Sequence, residues 1–154
     1  DMLASAGYRQ YEISNFARPA FESQHNSSYW KGDKYLGIGP SAHSFDQVSR
    51  QHNVGNNHLY VRAIREQKVP SVIEVLTHSD RINEYILTSL RTAEGCDLQT
   101  LKQNFNYDLI NAHGTYLAEL RNRNLVVLQP PRLLLTEAGK LLADRISSDL
   151  FLVE

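Results

Sequence analysis

A glycine-punctuated run at residues 35–44 (YLGIGPSAHS) is the segment best suited to lie against a ligand. It begins as an apolar strand and continues through Gly37 and Gly39 to Ala42 and His43. Small residues after a strand let backbone amides and carbonyls approach a bound molecule closely. Spacing alone, however, favours a tight strand-to-loop turn that binds nothing, so a binding role needs a further argument.

A second cluster places His25 and Asn26 among polar residues, shortly before the only tryptophan, Trp30. An imidazole can ligate a metal ion, and an indole offers a flat apolar face. The alternative is a loop that buried aromatic side chains pin in place, and this is the more ordinary role for any single histidine. His52 and His58 are expected at the surface.

Glu12 and Cys96 are the remaining residues whose side chains could take part in binding or catalysis. Glu12 alternates with Tyr11 and Ile13 on a predicted strand, where it would bond a substrate, hold a neighbouring loop or face solvent. Cys96 is the only cysteine, which excludes an intrachain disulfide and any metal site made of cysteines alone. An iron–sulfur cluster normally needs three or four thiolates, so this chain cannot hold one by itself. We expect Cys96 to be a small buried residue.

The first part of the chain is predicted to supply few elements. Near-alternation predicts a strand over residues 8–16, a structured loop over 17–34 and a second strand from Tyr35. A short helix is expected at 57–67, followed by a junction at 66–78. Two strands and one helix cannot close a core, so residues 1–70 are interpreted as part of a larger domain.

The second part, residues 71–154, has helical periodicity throughout. Its first helix buries Ile82 and Ile86 and is expected to end at Gly95, and a later helix carries His113 on its apolar face as a core histidine. The remaining signals are helix caps at Asp97 and Thr136, a third helix that begins near Asp108, a hairpin through residues 129–132, and a final buried stripe of Leu141, Leu142, Ile146 and Leu150. Three helices, a hairpin and a helix are the order of a winged helix.

Composition and charge restrict the class of protein. The 154 residues contain 42% hydrophobic and 21% charged residues, as in an ordinary globular chain. No apolar run approaches the length of a membrane span, and no signal peptide is visible, so we expect a cytoplasmic protein. The net charge of −1 provides no general attraction for nucleic acid.

Five short segments, in order, resemble the coproporphyrinogen III oxidase-like (HemN/HemW) family of radical S-adenosylmethionine proteins. Each segment is weak alone, but the series covers essentially the whole chain and is specific. Ala20 and Ser41 stand where the family often has glycine. The five segments are residues 11–19 (YEISNFARP), 25–30 (HNSSYW), 35–44 (YLGIGPSAHS), 90–95 (LRTAEG) and 135–139 (LTEAG).

The resemblance implies a fold of α/β plus α+β type. Residues 1–70 would be the terminal strands of an incomplete radical SAM, TIM-like barrel with a linker, and residues 71–154 a winged-helix-like domain. An upstream Cys-x-x-x-Cys-x-x-Cys segment, absent here, would hold a [4Fe–4S] cluster that binds S-adenosylmethionine. A whole barrel needs on the order of 200 residues.

The resemblance also implies roles for the candidate residues. Gly37, Gly39, Ala42 and His43 would lie beside S-adenosylmethionine. The substrate or heme pocket would contain Glu12, Asn15, His25, Asn26 and Trp30, with Trp30 stacking on the macrocycle and a histidine as axial ligand. No residue is assigned to catalysis.

Two function classes follow. The whole protein is expected to serve porphyrin or heme metabolism, either as a heme chaperone that passes heme to an acceptor protein or as an oxygen-independent oxidase. The chaperone branch is favoured, and this chain alone should perform no radical chemistry. The alternative is a winged-helix DNA-binding or protein-interaction module. Eight basic and ten acidic residues between positions 76 and 154 argue against DNA.

Overall fold

The computed structural model describes residues 2–153, which divide into two compact units. The first unit combines the residues up to Lys31 with those from His78 onward, and the second is Gly32–Thr77. The predicted domains are the end of a barrel at residues 1–70 and a winged-helix-like domain at residues 71–154. The division into compact units does not test them, so they stay a prediction. Among the described residues, no helix is long and apolar enough to cross a membrane.

The first unit opens with α1 (Met2–Ser5), β1 (Arg9–Glu12) and β2 (Asn15–Ala17). The two strands are antiparallel, and their register shifts between Gln10 and Glu12. A single strand over residues 8–16 is therefore wrong, because the chain turns back at Ile13 and Ser14. The irregular hairpin directs the Glu12 side chain inward, where it is 1% exposed.

A seven-residue helix, α2 (Gln24–Trp30), lies within the stretch that was predicted to be a loop. Its N-cap is Ser23, whose hydroxyl oxygen accepts a hydrogen bond from the Asn26 amide at 3.2 Å. The polar sequence QHNSSYW has no apolar periodicity, so the cap and the packing of Trp30 define this helix. The predicted loop over 17–34 is wrong at this point.

The second unit is a three-stranded antiparallel sheet with one helix. It contains β3 (His43–Phe45), β4 (Ser49–Asn53), α3 (Asn57–Arg65) and β5 (Ser71–Val75), with strand order β3-β4-β5. The helix predicted at 57–67 is confirmed. Strand β5 falls in the predicted junction, where the β-branched sequence SVIEV pairs with β4 along its whole length.

The predicted strand from Tyr35 is wrong. Tyr35 forms only an isolated bridge with Phe45, and the regular strand begins at His43. Leu36 and Ile38 are 76% and 84% exposed, so the apolar alternation does not reflect a buried strand face. Leu76 is the one buried hydrophobic side chain among the described residues of this unit, in keeping with the expectation that this region cannot close a core.

The remaining elements of the first unit follow in the predicted order, with one additional strand. They are α4 (His78–Leu90), β6 (Cys96–Asp97), α5 (Leu98–Phe105), α6 (Leu109–Asn122), β7 (Val126–Gln129), β8 (Arg132–Leu135), α7 (Glu137–Lys140) and α8 (Ala143–Asp149). Strand β6 adds to the predicted hairpin, and the sheet order is β6-β8-β7. The winged-helix assignment itself stays a prediction.

Side-chain caps confirm three helix starts. Asp97, Asp108 and Thr136 each accept a hydrogen bond from a backbone amide in the first turn of α5, α6 and α7. The first helix ends at Leu90 and not at Gly95. The predicted final helix is broken into α7 and α8, which leaves Leu141 86% exposed and Leu142 41% exposed. Those two residues are therefore not part of the buried stripe.

The apolar core of the first unit lies between α4, α5, α6, α8 and the three-stranded sheet. Leucine and isoleucine side chains fill it, together with Cys96 and Val126, and each of them is at most 7% exposed. Ile82 and Ile86 on α4 and Ile146 and Leu150 at the C-terminus are buried as predicted. Backbone hydrogen bonds between the hairpin and residues 91–93, and contacts between α2 and α4, connect these elements to the core.

Candidate functional site

Helix α2 carries three of the predicted pocket residues and presents them in different directions. His25 is exposed and lies edge-on to the ring of Tyr29, with centroids 4.9 Å apart. Asn26 and Trp30 are half-buried and face the hairpin and α4. Residues four apart share one side of a helix, so the 25/29 pair and the 26/30 pair lie about 100° apart around its axis.

The buried carboxylate of Glu12 is the centre of the inward side. Its Oε2 accepts hydrogen bonds from the Ser14 amide at 2.9 Å and from Asn15 Nδ2 at 2.6 Å. Its Oε1 accepts one from Arg91 Nε at 3.0 Å. The Asn15 side chain in turn accepts a long bond from Asn26 Nδ2 at 3.5 Å. Of the alternatives for Glu12, the structure favours holding its neighbours over facing solvent.

Arg91 belongs to this cluster although it was not among the predicted site residues. Besides Glu12 it binds Asp144, with Nη1 2.8 Å from Oδ1, and its guanidinium carbon lies 5.4 Å from the centroid of the Trp30 ring. These are the distances of an ion pair and a cation–π contact. Glu12 and Arg91 are 79 residues apart in the sequence, so no local pattern signals the pair.

A crevice of about 580 Å³ opens beside the inward face of α2. Aromatic and cationic side chains are among the residues that line it, namely Tyr11, Trp30, Tyr85, Lys31 and Arg132. Its acids are Glu22, Glu94 and Asp97, and Arg132 lies 3.8 Å from oxygens of the last two. His25 does not line this crevice, so Trp30 and His25 do not face one common cavity.

The predicted cofactor residues all lie in the second unit, where their backbone groups are bonded internally. The Gly37 amide donates to Ser44 Oγ at 3.0 Å, and the Gly39 amide donates to the Tyr60 hydroxyl at 3.2 Å. Both glycine carbonyls accept from the buried side chain of Asn53, at 3.4 and 2.9 Å. Gly37 and Gly39 are thus committed to the packing of their own loop.

This loop contains a close backbone approach and two residues with positive φ. A Cβ built on Gly37 would lie 2.1 Å from the His43 carbonyl oxygen, so only glycine fits there. Gly39 has φ of +107°, and its neighbour Ser41 has φ of +59°. Ala42 is tied on both sides, since its amide donates to the Gly39 carbonyl and its carbonyl accepts from the Asn53 amide.

His43 is exposed and pairs across the sheet with His52, their rings 5.9 Å apart. His52 and His58 are exposed as predicted. His113 is half-buried at a kink in α6, where its Nε2 lies 3.0 Å from the Tyr107 hydroxyl and burial lowers its pKa. Among the described residues, no three histidine, cysteine or acidic side chains are arranged to hold a metal ion.

Cys96 is completely buried, as predicted, and burial raises the pKa of its thiol to about 11. A cluster ligand must be a thiolate, which this environment disfavours. The residues of this chain therefore do not fit an iron–sulfur cluster.

Comparison with known proteins identifies the family. Residues 76–142 match the family model described as the HemN C-terminal domain. The heme chaperone HemW of Lactococcus lactis is 34% identical over 139 residues, which are 90% of this chain and 36% of that protein. The chain belongs to the HemN/HemW family. The heme chaperone HemW of Bacillus subtilis is 32% identical over 146 residues, covering 94% of this chain and 38% of its own length.

A solved structure gives the same fold for this part of the family. It is coproporphyrinogen III oxidase (HemN) from Escherichia coli, described as a radical SAM enzyme, with a TM-score of 0.75 and 21% identity. The match covers 97% of this chain and 38% of that one. The chain thus spans less than two fifths of each of these relatives. Neither the relatives nor the fold supports the DNA-binding alternative.

Proposed function

We propose that this chain is part of a heme-handling protein of the chaperone branch, and that His25 is its contact with heme. The observation that carries this proposal is the exposed imidazole of His25 on a helix whose other side is anchored. A neutral imidazole is a common axial ligand of heme iron. Relatives named heme chaperone HemW, at 34% and 32% identity, support the branch.

The position of His25 leaves its imidazole accessible to heme but separates it from Trp30. The imidazole is on the solvent side of α2, where a flat macrocycle can approach, and the Tyr29 ring beside it adds aromatic surface. Trp30 lies on the inward side, against Arg91. We therefore propose that Trp30 and Asn26 hold the helix, and that Trp30 does not stack on the macrocycle that His25 binds.

The finer fold and cofactor assignments are also part of the proposal. Residues 1–70 would close a radical SAM barrel, and residues 71–154 would be a winged-helix-like domain, in keeping with the order of helices and hairpin. S-adenosylmethionine and the cluster would be held in the whole protein, the cluster by cysteines outside this sequence. The glycine amides and carbonyls are already hydrogen-bonded within the loop. S-adenosylmethionine would therefore make van der Waals contact with this segment, at Gly37, Gly39, Ala42 and His43.

Heme titration of the chain tests the central assignment. Ferric heme is added while the Soret band is followed, for the unmodified chain, His25→Ala and His58→Ala. His58 is the matched control, since it is also an exposed histidine near the start of a short helix. We expect His25→Ala to abolish the histidine-ligated spectrum and His58→Ala to leave it unchanged. An unchanged spectrum and affinity in His25→Ala would overturn the assignment.

The oxidase branch is the second candidate, because the matched fold is that of a protein described as coproporphyrinogen III oxidase. In the whole protein, consumption of coproporphyrinogen III with formation of vinyl groups would favour this branch. Heme transfer to an acceptor protein without such consumption would favour the chaperone.

A further inference from the structure

We propose that Arg91 is a positioning residue that fixes α2, and with it His25, in the orientation that meets heme. This inference rests on the proposed heme contact of His25. It assigns a role to a residue that lies outside the helix and outside the sequence segment that carries His25.

The backbone around Arg91 is fixed to the hairpin. The Arg91 carbonyl accepts a hydrogen bond from the Ile13 amide at 3.0 Å, and the Ala93 amide donates to the Tyr11 carbonyl at 3.0 Å. These two bonds join the segment after α4 to the end of β1 as a short antiparallel ladder. The base of the arginine side chain therefore has little freedom.

The guanidinium then joins three separate parts of the first unit. It donates to Glu12 in the hairpin at 3.0 Å and to Asp144 in α8 at 2.8 Å, and it covers the ring of Trp30 in α2 at 5.4 Å. A planar cation can bond carboxylates in its plane and lie over an aromatic ring with its face at the same time. A lysine ammonium has no such plane, so arginine is specifically suited to this position.

Helix α2 depends on this contact because it has little stability of its own. Seven residues are far fewer than an isolated helix needs in water. A further connection, from Asn26 through Asn15, is a long hydrogen bond at 3.5 Å that leads to Glu12. These two connections of α2 therefore meet at the Glu12–Arg91 pair, and the Glu12 side chain of that pair has no exposed surface.

The sequence provides a direct probe of this arrangement. Trp30 is the only tryptophan, so selectively excited tryptophan fluorescence reports the environment of this side chain in α2. Movement of α2 away from Arg91 would increase quenching of Trp30 by acrylamide. This measurement needs no heme, and it reads the position of the helix independently of its ligand.

The experiment compares Arg91→Gln and Arg91→Lys with Arg145→Gln in the 154-residue chain. Arg145 is a matched control: it also pairs with an aspartate, Asp149 at 3.0 Å, but its side chain is 78% exposed. Each variant is measured by far-UV circular dichroism, acrylamide quenching and heme titration.

We expect Arg91→Gln to raise the dissociation constant for heme about tenfold, because only about a tenth of the molecules would hold His25 correctly. Arg91→Lys should have a smaller effect, of about threefold, since it keeps the charge near Glu12 and loses the stacking on Trp30. Trp30 quenching should increase in both variants and stay unchanged in Arg145→Gln.

Unchanged heme affinity and quenching in a folded Arg91→Gln would overturn the inference. Should Arg91→Gln fail to fold, the heme affinities of Arg91→Lys and Trp30→Phe test the inference, since both substitutions keep the core intact. Heme affinities equal to that of the unmodified chain in both variants would reject the positioning role. Failure of the proposed function is distinct. In that case His25→Ala binds heme like the unmodified chain, whereas failure of the inference alone leaves His25→Ala impaired and Arg91→Gln normal.

Discussion

Replacement of Gly37 by alanine tests whether the glycine run serves the packing of its own loop. The new Cβ would lie 2.1 Å from the His43 carbonyl oxygen and 2.7 Å from its carbon. Both are backbone atoms, so no side chain can rotate away, and the two segments must separate by about 1 Å to restore ordinary contact. That separation weakens the bonds from Gly37 to Ser44 and Asn53, at 3.0 and 3.4 Å.

The expected cost follows from those contacts. Overpacking of this kind costs about 1–3 kcal/mol, and two weakened hydrogen bonds add about 1 kcal/mol each. We therefore expect Gly37→Ala to lower the free energy of unfolding of the second unit by about 3–5 kcal/mol. Hydrogen exchange of the β3 and β4 amides measures this, because those amides are protected only while the sheet is closed.

A matched control lies in the same unit. A Cβ on Gly55 would meet only the Ser41 hydroxyl at 2.9 Å, the movable end of a side chain. Gly55→Ala should therefore change exchange by no more than about 0.5 kcal/mol. Equal protection in Gly37→Ala and Gly55→Ala, without any ligand, would refute the packing argument and leave ligand contact as the reason for glycine at position 37.

Two further predictions concern the thiol and the backbone. Burial raises the pKa of Cys96 from 9.0 to about 11, so its contribution to stability is complete below pH 9 and is lost as the pH rises to 11. Urea unfolding should therefore show a loss of about 2–3 kcal/mol over that range, beyond the loss seen in Cys96→Ala. Ser41→Gly and Ala20→Gly should each raise stability by about 0.5–1 kcal/mol, since φ is +59° and +68° there. A lower melting temperature in both glycine variants would contradict this.

Local signals were read correctly where a side chain acts on its own neighbourhood. Asp97, Asp108 and Thr136 cap helices because their oxygens bond amides two or three residues later, a distance that the sequence displays directly. The same holds for the buried spacing of Ile82 and Ile86 on α4. These features need no knowledge of the rest of the chain.

The wrong predictions concern segments whose structure depends on contacts with residues far away in the sequence. Helix α2 has a polar sequence, and its Trp30 packs against Arg91, which is 61 positions later. The break after Lys140 exposes Leu141 and Leu142, although their spacing suits a buried stripe. Leu36 and Ile38 alternate like strand residues, yet they lie in a loop that is held by Asn53 and Tyr60. A single sequence displays the spacing of apolar residues, but it does not show which distant residues contact them.

For the candidate site, the sequence indicates which side chains are suited to bind a ligand, but it does not indicate the directions in which they point. Glu12, Asn15, Asn26 and Trp30 are brought together, whereas His25 faces away from them. The prediction of a loop does not specify the relative directions of these side chains, whereas a helix separates neighbours in sequence by about 100°. One short helix can therefore expose His25 on one side and be anchored through Asn26 and Trp30 on another. Substitution of an anchoring residue should change how often His25 is correctly placed, while substitution of His25 should change the bond itself, so affinity and absorption spectrum together can separate the two roles.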